Sequence, residues 1–248
     1  MSYYFKIIII TLIFILGSIS AQDRYESFPA WVKSVPEYGF NGMKNTVTRK
    51  SNLLILGTVS IGAVLAYQFD NQFQDYALRE GLLPDRVSQF GDLYGGIWSA
   101  WLLPVSIIIT SKASDESNNE MLGKLEFAAS ALVVNGVTTV ILKELIGRER
   151  PNGSNNRSLP SGHTSHSFAV AAVANELYGR KVGTAAYLIA GLVAVSRIND
   201  NDHYLSDVIV GAGLGAVIGR GFAKTYQEKK HIPNLTINNK GLNIMYNF

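Results

Sequence analysis

Six apolar segments separated by short polar stretches run through residues 51–228 of this chain. Each segment is rich in Ala, Gly, Leu, Val and Ile, and none shows the strict alternation of apolar and polar residues that is typical of a half-buried strand. The segments are Leu53–Phe69, Ile97–Thr110, Phe127–Leu142, Ser167–Tyr178, Gly183–Val195 and Leu205–Phe222. The pattern predicts an all-α fold, a six-helix bundle, and 248 residues are enough for one domain with a substantial core.

The N-terminal part of the chain differs from this helical domain. Residues 1–21 contain Lys6, continue through the apolar run Ile7–Leu16 and end in small residues, which is typical of a secretory signal peptide. A membrane anchor is the alternative, although the run is short for a span of about 20 residues. Residues 22–50 are polar and aromatic, and they predict an irregular mature N-terminus.

The C-terminal residues 229–248 carry another pattern. Two short stretches with apolar residues flank Asn238-Asn239-Lys240-Gly241, whose Asn and Gly residues favour a tight turn. A short β-hairpin is one prediction. A poorly ordered tail is the other, because a lone hairpin is only marginally stable without a partner surface.

The sequence leaves open whether the helices cross a membrane. Most apolar segments fall short of the about 20 residues that a span requires, and the mean hydropathy is only +0.13. These features favour an exported, water-soluble or peripheral protein, periplasmic or associated with the cell-envelope membrane. If a signal peptide is removed and six spans follow, the segment that starts at Lys143 lies in the cytoplasm. That placement conflicts with a site outside the cytoplasm. The alternative is a multi-pass inner-membrane protein, since helices rich in Gly and Ala also suit packing in lipid.

Composition excludes several kinds of site and partner. The chain has no cysteine, which excludes a disulfide scaffold, a thiolate metal site and a cysteine nucleophile. The net charge is +3 and no dense run of Lys and Arg occurs, so no nucleic-acid partner is expected.

The first of three polar blocks follows an apolar helix. Lys143 lies at the end of that helix, and Arg150 comes seven residues later. Pro151 is expected to stop the helix and to turn the chain. Taken alone, two cations in this position are typical of a solvated helix end that the helix dipole stabilises.

The second block, Pro160-Ser161-Gly162-His163, directly precedes a helix that is predicted from Thr164 onward. Free N–H groups at a helix start bind anions. Gly162 lets the backbone approach a phosphate closely, and Ser161 can cap the helix or donate its hydroxyl to the anion. An ordinary helix start with an exposed His163 is the alternative.

The third block runs from Ser196 to Asp207. His203 and Asp207 are four residues apart, so on a helix they would share a face. The carboxylate could then accept one ring N–H and leave the other ring nitrogen as a nucleophile. Arg197 offers donors that suit phosphate oxygens. All three blocks lie at ends of apolar helices, and a bundle can bring them to one pocket suited to phosphoryl transfer.

The order Lys-x6-Arg-Pro, Pro-Ser-Gly-His and Ser-Arg-x5-His-x3-Asp resembles the type 2 phosphatidic acid phosphatase superfamily. That group includes lipid phosphate phosphatases, bacterial class A acid phosphatases and vanadium haloperoxidases. The three motifs occur here in the family order without a departure at any fixed position, and the helical resemblance covers about residues 50–225.

The resemblance implies a PAP2-type bundle and a role for each motif residue. Phosphate-binding roles fall on Lys143, Arg150, Ser161, Gly162 and Arg197. His203 would attack phosphorus, Asp207 would orient its ring, and His163 would protonate the leaving oxygen and then activate water.

The implied enzyme is a metal-independent phosphatase without a cofactor, acting on phosphomonoesters or diphosphates, with lipid phosphates as the leading substrates and a membrane as partner. Asp200 and Asp202 are interpreted as solvated loop residues rather than metal ligands. Three alternatives are weighed: a broad-range periplasmic acid phosphatase for soluble esters, a vanadate-dependent haloperoxidase and an inactive structural envelope protein.

Overall fold

The computed structural model describes residues 30–230 and two strands near the C-terminus. The chain forms two compact units, Met1–Tyr38 and Gly39–Phe248, and the site lies wholly in the second. The helices are α1 (Ala30–Thr48), α2 (Lys50–Tyr67), α3 (Asp70–Glu80), α4 (Asp85–Leu93), α5 (Ser99–Ala113), α6 (Asn118–Ile146), α7 (Gly162–Asn199) and α8 (Leu205–Lys230), and a π-helical turn at Tyr94–Trp98 joins α4 to α5. The signal-peptide prediction for residues 1–21 falls outside the described residues.

The all-α prediction is confirmed. Two of the predicted helices form one bent helix, α7. Gly179 interrupts α7 with φ 80° and ψ 177°, a backbone conformation that is essentially restricted to glycine. The rings of Phe168 and Tyr187 lie 5.8 Å apart on either side of this break. Residues so far apart in sequence would lie about 28 Å apart on a straight helix, so α7 is a helical hairpin with two arms. These arms contain the predicted helices Ser167–Tyr178 and Gly183–Val195.

The predicted irregular segment 22–50 is wrong over Ala30–Thr48, which is helical. Among the described side chains, polar and small residues of α1 pack on α8. The amide of Asn45 donates to Thr225 Oγ1 (3.0 Å) and to Glu228 (2.9 Å). Gly42 lies so close to the Phe222 ring that a Cβ would overlap it. Polar and close-packing contacts of this kind are not recorded by the hydropathy of a single segment.

The first arm of α7 packs directly against α8. A Cβ at Gly211, Gly215 or Gly219 would overlap, respectively, Ser161, Ser165 or Ala172 at the start of α7. These glycines recur every four residues on one face of α8, a spacing that allows helices to approach closely in lipid. The close approach brings the start of α7 against the start of α8.

The bundle carries an outward-facing apolar surface. Among the described residues, five helices are long and apolar enough to cross a membrane by length and composition: Lys50–Tyr67, Asp85–Ala113, Asn118–Ile146, Gly162–Asn199 and Leu205–Lys229. Large apolar side chains point outward on several of them, for example Leu54, Trp101 and Leu188, each at least 70% exposed. A water-soluble bundle would bury such surface, so the earlier preference for a water-soluble protein gives way to membrane association.

A two-stranded hairpin follows the bundle. β1 (Asn234–Asn238) pairs antiparallel with β2 (Gly241–Met245), with Asn238 opposite Gly241. The strands lie where the sequence predicts them, and the residues between them fall outside the described part of the chain.

Candidate active site

The first polar block follows the end of α6, but a glycine ends this helix instead of Pro151. Gly147 adopts the left-handed conformation with φ 60°, and its N–H donates to the Lys143 carbonyl at 3.1 Å. The Lys143 ammonium donates to the carbonyls of Arg157 and Ser158 in the following loop. The lysine therefore reaches across the loop towards the start of α7.

The loop from Gly147 to Ser161 is fixed by hydrogen bonds of its own and by a bond to α8. The N–H of Ser158 donates to the Arg148 carbonyl (2.8 Å), and that of Arg150 donates to the Asn155 carbonyl (2.9 Å). The hydroxyl of Ser158 is buried and donates to Asp207 Oδ2 at 2.5 Å. This serine links the first polar block to the third, and the sequence analysis did not identify it.

The second block forms the N-terminus of α7, whose first residue is Gly162. Ser161 precedes the helix, and its N–H donates to the Asp207 carbonyl at 3.1 Å. Its hydroxyl does not cap α7 but accepts a hydrogen bond from Thr164 (3.0 Å). The N–H groups of the first turn of α7 are thus left without a side-chain cap and can bind an anion.

The third block lies where α7 ends and α8 begins. The expectation that His203 and Asp207 share a helix face is wrong, because His203 lies in the turn before α8 and its N–H donates to the Arg197 carbonyl (3.2 Å). Asp207 is the third residue of α8, and its Oδ2 accepts the N–H of Tyr204 at 2.9 Å. A carboxylate in this position caps the helix and is stabilised by the helix dipole.

The imidazole of His203 is buried beside Asp207. Its Nδ1 lies 3.8 Å from Asp207 Oδ2, which is longer than a hydrogen bond. Nδ1 has no hydrogen-bond partner within the described part of the chain. Burial lowers the pKa of His203 to about 4, and the positive charges of Lys143 and Arg150 act in the same direction. The ring is therefore neutral at physiological pH.

Arg197 lies at the centre of a carboxylate cluster. Only 2% of its side chain is exposed, and its guanidinium contacts Asp92 (2.6 Å), Asp200 (2.6 Å) and Asp202 (3.3 Å). Asp202 also accepts a hydrogen bond from Arg150 at 2.9 Å. The interpretation of Asp200 and Asp202 as solvated loop residues is wrong, because both pair with cations of the site.

Asp92 brings a fourth segment to the site, which the sequence analysis did not identify. Its Oδ1 lies 2.6 Å from the Arg197 guanidinium and 3.3 Å from His163 Nε2. The adjoining π-helical turn places Gly95 against His163, where a Cβ would lie only 3.0 Å from the Cβ of that histidine. Single π-helical turns within α-helices are frequent at functional sites. The only signal in the sequence was an acidic residue near two glycines.

An open cleft of about 510 Å³ lies beside Arg197 and its carboxylate partners. It is lined by Asp92, Arg197, Asp200, Asp202 and residues of the start of α4. In the described part of the chain, no three His, Asp or Glu side chains are grouped in a way that could hold a metal ion. Chemically, the site offers cations and helix N–H groups for an anion, one buried neutral imidazole and a second imidazole that contacts Asp92.

The comparisons with known proteins point to one family. Residues 125–231 match the model of the PAP2 superfamily. A lipid A 1-phosphatase of Porphyromonas gingivalis is 40% identical over 80 residues, which cover 31% of this chain and 18% of that protein. Lipid phosphate phosphatase 1 of Arabidopsis thaliana is 26% identical over 212 residues, with 67% of this chain and 63% of that protein covered.

A solved structure shares the fold. The transmembrane PAP2-type phosphatidylglycerolphosphate phosphatase of Bacillus subtilis superposes with a TM-score of 0.53 at 22% identity, covering 72% of this chain and 96% of that one. The chain spans less than two thirds of the length of the curated relatives it matches. The segment matched by the family model contains every motif residue of the three polar blocks, so residues 125–231 of this chain are similar to the PAP2 superfamily.

Proposed function

We propose that this protein hydrolyses phosphate monoesters or diphosphates carried by lipids, through a phosphohistidine formed on His203. The observation that carries the proposal is the convergence of separate helix ends on one polar site within an apolar bundle. Ser161 is bonded to Asp207, Lys143 to the Ser158 carbonyl and Arg150 to Asp202. These contacts assemble the three polar blocks around the N-terminus of α7.

The first step transfers the phosphoryl group to His203. Nδ1 is the ring nitrogen nearer to Asp207 and carries the proton, so that Nε2 attacks phosphorus. The bond between phosphorus and the leaving oxygen breaks, and its electron pair stays on that oxygen. The oxygen takes a proton from His163, and the lipid alcohol, or the lipid monophosphate of a diphosphate substrate, departs.

The second step returns the enzyme to its starting state. A water molecule attacks phosphorus, the bond between phosphorus and Nε2 breaks, and the electron pair returns to the ring nitrogen. His163 takes the proton of the attacking water and recovers the proton that it gave in the first step. Inorganic phosphate leaves, so the overall reaction consumes one water molecule.

The cations stabilise the phosphoryl oxygens through both steps. We assign this role to Lys143, Arg150 and Arg197, together with the Ser161 hydroxyl and the Gly162 N–H. Arg150 and Arg197 pair with carboxylates of the site, and the Asp92 oxygen lies between Arg197 and His163. Substrate binding therefore replaces Asp92 by a phosphoryl oxygen. The proposed chemistry uses no divalent metal ion, so EDTA should leave turnover unchanged.

The apolar exterior supports a lipid substrate. Ile97 in the π-helical turn and Trp101 in α5 are more than half exposed, and their side chains can contact acyl chains. Curated relatives are named as phosphatases of lipid A and of lipid phosphates. A lipid could thus keep its chains along the bundle while its phosphate reaches the cations.

The positions of the helix ends support a site on the extracytoplasmic side. The site gathers the end of α6, both ends of α7 and the start of α8, whereas Arg49 contacts the Arg220 carbonyl (3.2 Å) and Lys229 contacts Glu126 (2.8 Å) at the other end. Cations also lie at that other end and at the bend of α7: Arg49, Lys50, Arg180, Lys181, Lys224 and Lys229. The cations at the site end, in contrast, are bonded to groups of the site. The positive-inside rule assigns the end opposite the site to the cytoplasm.

Trapping of the intermediate tests the proposal. With para-nitrophenyl phosphate, whose leaving group needs no proton, His163→Ala should still form the phosphoenzyme but should hydrolyse it slowly. His203→Ala should form none. The purified variants are compared for a phosphoryl group that is stable in base and labile in acid, as a phosphohistidine is. An intermediate that persists in His203→Ala would exclude His203 as the nucleophile.

A further inference from the structure

Arg148 lies between Lys143 and Arg150 in the sequence, and its guanidinium contacts the carboxylate of Asp207. Nη1 donates to Asp207 Oδ1 at 2.6 Å and to the Ser206 hydroxyl at 2.7 Å. Nη2 donates to Asp70 Oδ2 at 2.7 Å. Both terminal nitrogens are thus occupied by protein groups, and Arg148, unlike Arg197, does not line the cleft.

Asp70 is the buried counter-ion that holds this arginine. It is the first residue of α3, and only 3% of it is exposed. Its Oδ1 accepts the N–H of Ser206 at 2.9 Å, and its Oδ2 accepts the Ser206 hydroxyl as well as Arg148. A buried carboxylate that is paired and hydrogen-bonded in this way fixes its partners firmly, because losing one partner would leave an uncompensated charge.

Two aromatic rings complete the surroundings of Arg148. Its guanidinium carbon lies 4.2 Å from the ring centroid of Tyr204 and 5.0 Å from that of Tyr67. Contacts of this kind favour a planar cation over an aromatic face. The guanidinium therefore has a preformed place between α2, the start of α8 and the loop after α6.

The remaining lone pairs of Asp207 are also used. Oδ2 accepts the hydroxyl of Ser158 (2.5 Å) and the N–H of Tyr204 (2.9 Å), while Oδ1 is held by Arg148. With both oxygens held, the plane of the carboxylate is fixed, and Oδ2 lies 3.8 Å from His203 Nδ1. Without Arg148, Oδ1 would lose its partner and the carboxylate could rotate.

We propose that Arg148, held by Asp70, is a positioning residue that fixes the carboxylate of Asp207 and, through it, the ring of His203. The inference rests on the proposed function, because it assigns to Arg148 the orientation of the nucleophile in that reaction. It also gives Asp70, in a segment far from the three motifs, a defined part in catalysis.

Kinetics of matched variants test the inference. Arg148→Ala should lower kcat by about 100-fold, the order of loss expected when a reacting group is misplaced by about 1 Å. KM and the inhibition constant of orthovanadate should change less than about three-fold, since the phosphate cradle keeps its cations. Arg148→Lys should stay close to the Ala variant, because one ammonium group cannot bridge Asp70 and Asp207 as the guanidinium fork does.

Arg220→Ala is the matched control. Arg220 lies on α8 and contacts Asn52 (3.4 Å) and Ser51 (3.3 Å) on α2, so it also joins two helices but lies far from Asp207. The control should lower the melting temperature without lowering kcat. Asp70→Asn should reduce kcat in the same direction as Arg148→Ala, because it removes the charge that holds the arginine.

Guanidinium rescue separates positioning from general support of the fold. Millimolar guanidinium chloride should restore a measurable part of kcat to Arg148→Ala, because the aromatic contacts and the carboxylates of Asp70 and Asp207 remain to bind the ion. It should not raise kcat of the wild type or of Arg220→Ala. A variant whose kcat loss is matched by an equal loss of vanadate binding, or is not restored by guanidinium, would overturn the proposal.

The pKa of His203 can be measured without turnover, and it distinguishes a failure of this inference from a failure of the proposed function. Removing the positive charge of Arg148 should raise the pKa of His203, which ring-nitrogen NMR of labelled histidine can follow in the full-length protein in detergent. Arg220→Ala should leave that titration unchanged. If the wild type releases no phosphate but the titration shifts as expected, the proposed function fails and the link from Arg148 to His203 stands. An unshifted titration in an active enzyme overturns the inference alone.

Discussion

At the scale of single residues, two carboxylates outside the motifs, Asp70 and Asp92, pair with arginines of the polar blocks. The sequence predicts a pocket built from Lys143, His163 and Arg197, and the structure brings their segments together. Asp70 and Asp92 lie in segments without a motif, and only the folded chain shows that each carboxylate faces an arginine of a distant block. Contacts across 78 and 105 residues leave no local pattern in a sequence.

Asp92 should compete with the substrate for Arg197. Asp92→Asn removes the negative charge between Arg197 and His163, so inorganic phosphate and orthovanadate should bind about five-fold more tightly, the equivalent of about 1 kcal/mol for a partly exposed ion pair. Inhibition constants of the two anions measure this change.

Asp85→Asn is a suitable control, because Asp85 lines the same cleft at the start of α4. It should leave both inhibition constants within two-fold of the wild type, by the same estimate for exposed charges. Weaker anion binding in Asp92→Asn would mean that this carboxylate supports the phosphate site instead of occupying it.

At the scale of helices, apolar periodicity predicted the long helices correctly but misjudged where they end and what lies between them. Gly147, four residues before Pro151, ends α6, because a left-handed glycine satisfies the last carbonyl groups of the helix. His203 lies in a turn because α8 starts only at Leu205, with Asp207 as its capping carboxylate. Capping contacts decide these boundaries, and hydropathy does not record them.

The bend at Gly179 should be sensitive to the smallest side chain. Gly179→Ala forces a residue with a Cβ into φ 80° and ψ 177°, which should cost about 1–3 kcal/mol, although no atom of the described residues lies within 4 Å of the added carbon. We expect a lower melting temperature in detergent and lower turnover, because the two arms carry His163 and Arg197.

Gly191→Ala provides the comparison on the same helix. It also adds a carbon to open space, but in regular helical backbone, where alanine is favoured over glycine by about 1 kcal/mol. Its melting temperature should equal or exceed that of the wild type. Equal stability of both variants would show that the bend tolerates other backbone conformations.

At the scale of the whole molecule, the bundle with its apolar exterior separates the site from the cationic end. The chain contains no cysteine, so single cysteines can report the two sides without background. In intact cells, a membrane-impermeant maleimide should label Ser154→Cys in the loop of the site, and it should label Lys181→Cys beside the bend of α7 only after lysis.

The opposite labelling pattern would place the site in the cytoplasm. That outcome would agree with removal of residues 1–21 as a signal peptide followed directly by the spans of the bundle. The proposed sidedness instead places Arg49 in the cytoplasm, and sequence patterns alone could not decide between the two arrangements.

The helical hairpin of α7 has a consequence for the surrounding bilayer. Its first arm, residues 162–178, is about 25 Å long at 1.5 Å per residue, somewhat shorter than a hydrocarbon core of about 30 Å. A bilayer that this arm spans would have to thin around it, or the flanking polar residues would have to extend towards the head groups. Acyl-chain length in the host membrane should therefore influence how closely a lipid head group approaches the cations, even when the chemical identity of that head group stays the same.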